Sequence, residues 1–168
     1  NNENPLYYCE TVEATNPCGE QPLPPFGACL LGSFNLVKYV DTETHKFNFA
    51  QLKGDIPHVV RAMDNVIDRT SYPLEEQEIE AKTKRRMGLG VTGLANCLTM
   101  CGYPYGSLVG KRFTRKVLKT IMCEAFSASS DLATEKGSFK LFNADKYLAG
   151  DYVSRLPDDI KAKIKQQG

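Results

Sequence analysis

The sequence predicts a helix-rich α/β fold, with β-structure confined to residues 1–40 and helices dominating residues 41–168. Runs of aromatic, apolar and β-branched residues at 6–13 and 28–40 predict short strands on either side of a loop. Apolar residues that recur every three or four positions over 108–136 predict a long amphipathic helix. The length of 168 residues is enough for one domain with a hydrophobic core, although it is short for a large barrel.

The segment between the two predicted strands is a stiff loop. Residues 14–27 contain four prolines and two glycines, a composition that excludes both a helix and a central strand. A flexible linker would be rich in serine and glycine, whereas this loop is stiff and partly apolar. Such a loop can hold a side chain at a fixed place in a buried site.

Helical patterns follow one another from residue 57 to the end of the chain. The first helix is predicted to begin near Pro57, a residue suited to a first turn, and to end before Tyr72. The glycines of 88–93 fit a G-x-G-x-x-G spacing without the expected βαβ context, so they are interpreted as close packing at a helix start. Further helices are predicted at 94–101, at 108–136 with Gly137 as C-cap, around Tyr147, and from Pro157 onward.

The composition is that of an ordinary globular protein. Apolar residues make up 42% of the chain and charged residues 24%, and the net charge is +1. This charge balance gives no reason to expect nucleic acid as a partner, and no apolar run is long enough to span a membrane. Residues 1–5 lack the features of a secretory signal, so a cytoplasmic location is expected. Arg85 and Arg86 are interpreted as a solvated basic turn.

The six cysteines, at positions 9, 18, 29, 97, 101 and 123, form no C-x-x-C pair. His45 and His58 are too far away in sequence to complete a zinc site with them. Cys97 and Cys101 are four residues apart and are expected to be core residues rather than metal ligands. We therefore expect reduced thiols and no metal, with a thiol-based metal-binding module as the alternative that the cysteine count alone suggests.

The loop carries three residues whose spacing indicates chemistry. In an extended backbone Asn16, Cys18 and Glu20 would point to one side and offer an amide, a thiol and a carboxylate together. Negative charge close to a thiol disfavours the thiolate, and no histidine is near, so a protease-type nucleophile is not indicated. A protonated thiol is instead suited to hydrogen-atom transfer. The alternative is a structural turn whose polar side chains bind the backbone, and the motif alone does not decide between the two.

A longer stretch, Thr-Asn-Pro-Cys-Gly-Glu-Gln-Pro-Leu-Pro-Pro-Phe-Gly-Ala-Cys-Leu-Leu-Gly-Ser-Phe-Asn-Leu at 15–36, closely resembles the active-site loop of ribonucleotide reductase large subunits. Further segments resemble the same family in the same order, at 85–95, 102–107, 139–148 and 155–158. The resemblance therefore extends over essentially the whole chain.

The resemblance implies that residues 1–168 are a helix-rich part of a ten-stranded α/β barrel that carries its active-site loop. By position, Cys18 would form the thiyl radical that abstracts the 3′ hydrogen atom of a ribonucleotide. Glu20 would be the general base for the 3′ hydroxyl, and Asn16 would bind the ribose. Cys29 would be the downstream member of the cysteine pair that supplies two electrons and becomes a disulfide.

The resemblance also implies partners and a cofactor. The run at 19–33 looks most like the adenosylcobalamin-dependent class II enzymes, with class I as the alternative, in which a separate metal subunit makes the radical and this chain holds no cofactor. Expected partners are the ribonucleotide, complementary reductase segments or chains, and a thioredoxin-like electron donor. We expect a bacterial or phage-encoded protein that is inactive alone. A non-catalytic helical interaction domain remains the alternative function.

Overall fold

The structure, a computed structural model, describes residues 3–168. Residues 1 and 2, which belong to the segment without secretory-signal features, lie outside the described residues. Four strands lie within the described residues: β1 (Ala14–Thr15), β2 (Pro22–Leu23), β3 (Leu30–Asn35) and β4 (Met87–Thr92). The α-helices are α1 (Phe49–Arg69), α2 (Glu75–Lys84), α3 (Leu94–Met100), α4 (Leu108–Lys136), α5 (Ala144–Ala149), α6 (Asp151–Ser154) and α7 (Asp158–Gln167). None of these helices combines the length and apolar character that crossing a membrane requires.

Strands β3 and β4 form a parallel pair. Leu30 lies opposite Met87 and Asn35 opposite Thr92, with α1 and α2 in the connection between the strands. Parallel neighbours need such a crossover, and its helix α1 packs against β3. Residues 87–92 therefore form a strand, which was not predicted, whereas the predicted close packing is confirmed at Gly88 and helix α3 begins directly after Gly93. The glycines of β4 weaken the strand pattern locally, but they admit side chains from the neighbouring strand.

The N-terminal segment differs from the prediction. Residues 6–9 form turns and residues 10–13 have no regular structure, so the predicted strand is absent here; the backbone N–H groups of Cys9 and Glu10 both donate to the Leu6 carbonyl, at 3.0 and 3.2 Å. The segment 28–40 contains β3 but ends in a 3₁₀ turn at Leu36–Tyr39 instead of a strand. The Asn35 side chain caps this turn by accepting a hydrogen bond from the Val37 N–H at 3.2 Å.

Most of the predicted helices are confirmed, and one begins earlier than expected. Helix α4 spans the residues predicted for it, and the Gly137 N–H bonds the Ala133 carbonyl at 2.9 Å. Helix α1 begins at Phe49, because Asn48 caps it through the Gln51 N–H at 2.9 Å, and Pro57 lies inside the helix. The start predicted at Pro57 was therefore wrong.

The main core lies between the sheet and the helix pair α1 and α4. Its buried side chains come from β3, the 3₁₀ turn and both helices, and they include Phe34, Leu36, Leu52, Ile56, Val60, Val117, Ile121, Ala128 and Leu132. A second cluster, formed by Val153, Leu156 and Ile164, packs α7 near Phe126 of α4. Because both clusters use α4, this helix ties the C-terminal helices to the layer that supports the sheet.

Candidate active site

The loop between β1 and β2 is a tight hairpin. The Gly19 N–H donates to the Asn16 carbonyl at 3.0 Å, and the Asn16 N–H donates to the Gln21 carbonyl at 3.2 Å. Pro17 occupies the second turn position, which its fixed φ suits, and Gly19 has a φ of 78°. The expectation of an extended backbone over residues 16–20 was therefore wrong, because proline and glycine at these positions favour a turn.

The hairpin nevertheless brings two of the three predicted site residues together. The Asn16 side-chain Nδ2 donates to Glu20 Oε1, while its Oδ1 accepts from the Gln21 N–H at 3.0 Å. Asn16 thus closes the base of the turn and orients the Glu20 carboxylate. Cys18 lies at the tip of the turn, where its side chain is exposed.

The sheet has one face toward the helices and one open face. On the helix side Phe34 is buried, and a Cβ placed on Gly32 would lie 3.0 Å from Met63 Sδ of α1. Side chains alternate along a strand, so Leu31 points to the other side, and it is 52% exposed. Gly88 is its partner on β4 and shares this open face.

Cys29 reaches this same face, where it meets the hairpin at Gly88. A Cβ on Gly88 would lie 3.2 Å from Cys29 Sγ, 2.8 Å from Gln21 Nε2 and 2.5 Å from Leu31 Cδ2. Residue 88 must therefore be glycine for these groups to approach. The contact joins the base of the hairpin to the cysteine that precedes β3.

The Cys29 thiol is half-buried beside charged groups. It lines a cavity of about 160 Å³ together with Ala28, Leu30, Ile67, Thr70, Tyr72, Ala81 and Arg86. Burial raises the pKa of Cys29 above its ordinary value, the positive charge of Arg86 opposes this, and the Glu20 carboxylate adds to it. Glu20 is thus within electrostatic reach of Cys29 as well as bonded to Asn16.

Sequence reasoning missed a buried ion-pair cluster next to this site. The Glu10 side chain is only 2% exposed, and it binds Arg86 Nη2 at 2.7 Å and Lys84 Nζ at 2.8 Å. Lys84 also binds Glu80, at 2.6 Å. The interpretation of Arg86 as part of a solvated turn was wrong. An acidic residue within the apolar run 6–13 was the available signal, because a carboxylate buried in such a run needs a cation.

Arg85 is also ion-paired rather than free in solvent. Its Nε lies 2.7 Å from Asp64 Oδ1 and its Nη1 lies 2.6 Å from Asp68 Oδ1, both on α1. Lys136, the last residue of α4, binds the same two carboxylates at 2.6 and 3.1 Å. This cluster holds the end of α2, and hence the start of β4, against the α1 and α4 pair.

The remaining cysteines have structural surroundings. Cys97 is fully buried, and burial, with Cys101 next to it, raises its pKa to about 12. All six thiols are free. Within residues 3–168 no three histidine, cysteine, aspartate or glutamate side chains are placed to share a metal ion.

The family follows from a comparison of the whole sequence with known families. Residues 1–168 match the family model described as ribonucleotide reductase, barrel domain. The chain belongs to this family. The resemblance noted in the hairpin motif and in the later segments is thereby confirmed for ribonucleotide reductase. Within the family's barrel domain, residues 3–168 form a helix-rich structure with few strands and no closed barrel.

Individual relatives are named ribonucleoside-diphosphate reductases. A vitamin B12-dependent ribonucleoside-diphosphate reductase from Thermoplasma acidophilum is 40% identical over 139 residues, which cover 83% of this chain and 18% of the relative. One from Mycobacterium tuberculosis is 37% identical over 147 residues, covering 88% and 21%. The ribonucleoside-diphosphate reductase large subunit of Plasmodium falciparum is 29% identical over 171 residues, covering 95% and 20%. The chain thus spans about a fifth of the length of these curated relatives.

Proposed function

We propose that this chain forms part of a ribonucleotide reductase catalytic subunit and supplies its radical cysteine, Cys18, and one redox-active cysteine, Cys29. The observation that carries the proposal is the meeting of the hairpin base with Cys29 at Gly88, on the sheet face that the helices leave open. A substrate lying on this face would have the hairpin on one side and the sheet below it. Family membership and the relatives' names support the same reaction.

In the proposed reaction the hairpin acts on the 3′ position of the ribose. The Cys18 thiyl radical takes the 3′ hydrogen atom and becomes a thiol. Glu20 takes the proton of the 3′ hydroxyl, and Asn16, already bonded to Glu20, orients the ribose. Because the turn holds Asn16 and Glu20 in contact, the general base is preorganised before the substrate binds.

Cys29 is proposed to supply reducing equivalents with a second cysteine from outside this chain. The 2′ hydroxyl leaves as water, and the two thiols give up two electrons and two protons as they form a disulfide. Cys18 then returns its hydrogen atom to C3′ and becomes a radical again. The balance is one ribonucleotide and one dithiol converted to one deoxyribonucleotide, one disulfide and one water. A thioredoxin-like dithiol would reduce the disulfide for the next turnover.

Adenosylcobalamin is proposed as the radical source, because two of the similar relatives are named vitamin B12-dependent. When bound, this cofactor supplies a carbon-centred radical by homolysis of its cobalt–carbon bond. Cys18 fits that chemistry, since its thiol is exposed at the hairpin tip. The residues that would bind the corrin are proposed to lie elsewhere in the enzyme. Radical supply by a separate metal subunit is the alternative.

The whole activity is proposed to need complementary segments of the subunit. Sheet β3–β4 has two strands and an open face, and the second cysteine of the redox pair must come from elsewhere. The chain alone is therefore expected to form no deoxyribonucleotide. Mixing it with the remaining segments of the subunit, with and without adenosylcobalamin, tests both the need for complementation and the cofactor.

The decisive experiment replaces Cys18 in the completed enzyme. Cys18→Ala is expected to abolish deoxyribonucleotide formation while the circular dichroism of the chain stays unchanged, because Cys18 is exposed. Cys123→Ala, on α4 and away from the hairpin, is the matched control and should retain activity. Full turnover in Cys18→Ala would instead support a non-catalytic helical interaction domain.

A further inference from the structure

Arg86 lies immediately beside Cys29, at the junction of α2 and β4. Its backbone carbonyl accepts a hydrogen bond from the Leu30 N–H at 3.3 Å, and Cys29 directly precedes Leu30. Arg86 and Cys29 also line the same cavity of about 160 Å³. The backbone bond does not depend on the side chain at 86, so the guanidinium can be replaced without removing the contact between the strands.

The guanidinium of Arg86 is held in place by the buried Glu10 carboxylate. Arg86 Nη2 lies 2.7 Å from each Glu10 oxygen. Lys84 and Asn4 complete the shell of that carboxylate, at 2.8 and 2.9 Å. A charge-assisted contact at a buried site fixes geometry more firmly than a surface pair does. Arg86 is therefore a stationary positive charge at the wall of the Cys29 cavity.

We propose that Arg86 is a positioning residue that acts through Cys29: anchored by Glu10, its guanidinium stabilises the Cys29 thiolate during thiol–disulfide exchange. The inference rests on the redox role proposed above for Cys29. It adds a function for an ion pair that joins the N-terminal segment to β4.

The chemical step that benefits is the reduction of the disulfide containing Cys29. A thiolate of the dithiol donor attacks the partner sulfur, the disulfide bond breaks, and Cys29 leaves as a thiolate with the bonding electron pair. The second donor thiol, as its thiolate, then attacks the mixed disulfide and releases the partner cysteine. A leaving thiol departs faster when its thiolate is more stable, so a cation beside Cys29 accelerates the first displacement.

The charges around Cys29 oppose one another. Burial and the Glu20 carboxylate on the hairpin both disfavour the thiolate, whereas Arg86 favours it. Tyr72, from the segment after α1, lines the same cavity. Glu10 binds both Arg86 and Lys84, and Lys84 also binds Glu80, so this cluster holds two cations and two carboxylates. Arg86 is thus the cation in this set whose charge favours the Cys29 thiolate.

The test is the pH dependence of Cys29 alkylation by iodoacetamide in the full 168-residue chain, read by peptide mass spectrometry. Arg86→Gln is expected to move the alkylation midpoint to higher pH and to slow Cys29 alkylation at pH 8 by about threefold or more. Arg86→Lys keeps the charge and should restore most of the rate. Cys123 in the same molecules is the internal control, and its alkylation should not change.

Arg86→Gln leaves Glu10 buried without its main partner and could unfold the chain. The double variant Glu10→Gln with Arg86→Gln removes both charges together and keeps the shapes of the side chains. It should show the same slower Cys29 alkylation with an unchanged circular dichroism spectrum. A wild-type pH profile for Cys29 in a folded variant that lacks the Arg86 charge would overturn the proposal.

A second measurement separates this inference from the proposed function. In the completed enzyme Arg86→Gln should slow multiple turnovers with a dithiol donor but leave the single turnover of pre-reduced enzyme intact. Cys29→Ser should abolish both. If Cys29→Ser retains multiple turnover, the redox role of Cys29 fails, whereas the alkylation profile still reports whether Arg86 controls the thiol.

Discussion

Gly88 and Cys29 are so close that a β-carbon on residue 88 would lie 3.2 Å from the Cys29 sulfur. The same β-carbon would meet Gln21 of the hairpin and Leu31 of β3. One glycine on β4 therefore allows the hairpin and Cys29 to share the open face. This relationship joins parts of the chain that are about sixty residues apart in sequence.

Gly88→Ala is expected to destabilise the chain and to displace the hairpin base. The new methyl group would lie 2.5 Å from Leu31 Cδ2 and 2.8 Å from Gln21 Nε2, so both must shift. Overpacking of this kind costs about 1–3 kcal/mol of unfolding free energy, measurable by urea denaturation. Gly54→Ala on α1 is the control, because nothing lies within 4 Å of its β-carbon and a helix favours alanine. Equal stability of Gly88→Ala and wild type would contradict the close contact.

Glu20→Gln is expected to lower the turnover number of the completed enzyme by about 10²–10⁴-fold, the usual contribution of a general base. The amide keeps the shape and the contact with Asn16 but cannot accept a proton at neutral pH. Steady-state kinetics should show a small change in KM beside the large change in kcat. Glu13→Gln, just before β1, is the matched control and should behave as wild type. A comparable loss in both variants would mean that Glu20 acts only through the charge of the loop.

Gly19→Ala tests whether the turn geometry matters for catalysis. Gly19 has a φ of 78°, and nothing lies within 4 Å of its β-carbon, so the substitution adds only backbone strain of about 1 kcal/mol. Gly106→Ala, at a φ of 77° and equally open, carries the same strain before α4. Both variants should lose similar stability in urea, but only Gly19→Ala should lose turnover. Similar turnover in the two variants would argue against a role for the turn in positioning Cys18.

The cluster of Asp64, Asp68, Arg85 and Lys136 predicts acid sensitivity. The pKa of Asp68 is lowered from 3.8 to about 2, and the largest cause is its hydrogen bond from Arg85. The pKa of Asp64 is also lowered, because the bonds from Arg85 and Lys136 outweigh the effect of burial. A carboxylate whose pKa is lower in the folded state than in the unfolded state stabilises the fold at pH values above the unfolded-state pKa. This contribution to the unfolding free energy is lost as the pH falls through the folded-state pKa. The melting temperature should therefore fall between about pH 4 and pH 2.

Asp68→Asn is the variant that isolates this effect. It should lower the melting temperature at pH 7 and make its decline between pH 4 and pH 2 shallower, as followed by circular dichroism. Glu43→Gln, in the exposed turn after Asp41, is the control and should keep the wild-type acid profile. An unchanged acid profile in Asp68→Asn would show that the ion-pair cluster does not stabilise the fold.

Local interactions explain what could be predicted from the sequence. The bounds of α4 and its Gly137 cap follow from periodicity and capping, which involve residues a few positions apart. The motif around Cys18, with the later segments in order, was enough to indicate the family that the comparison then confirmed. The turn itself was also predictable in principle, since Pro17 and Gly19 favour it, although the extended conformation was expected instead.

Non-local contacts decided the rest. Strand β4 forms because β3 pairs with it, and that pairing outweighs the weak strand preference of its glycines. Residues 6–13 form no strand, and within them Glu10 binds Arg86, which is 76 positions away. Periodicity reports only which face of an element is apolar, whereas a buried charge is stable only where the fold supplies its partner. By itself, then, the sequence determined the family, the long helix and the candidate site residues. The open sheet face and the charged surroundings of Cys29 were decided by the tertiary structure alone, because both depend on contacts between distant segments.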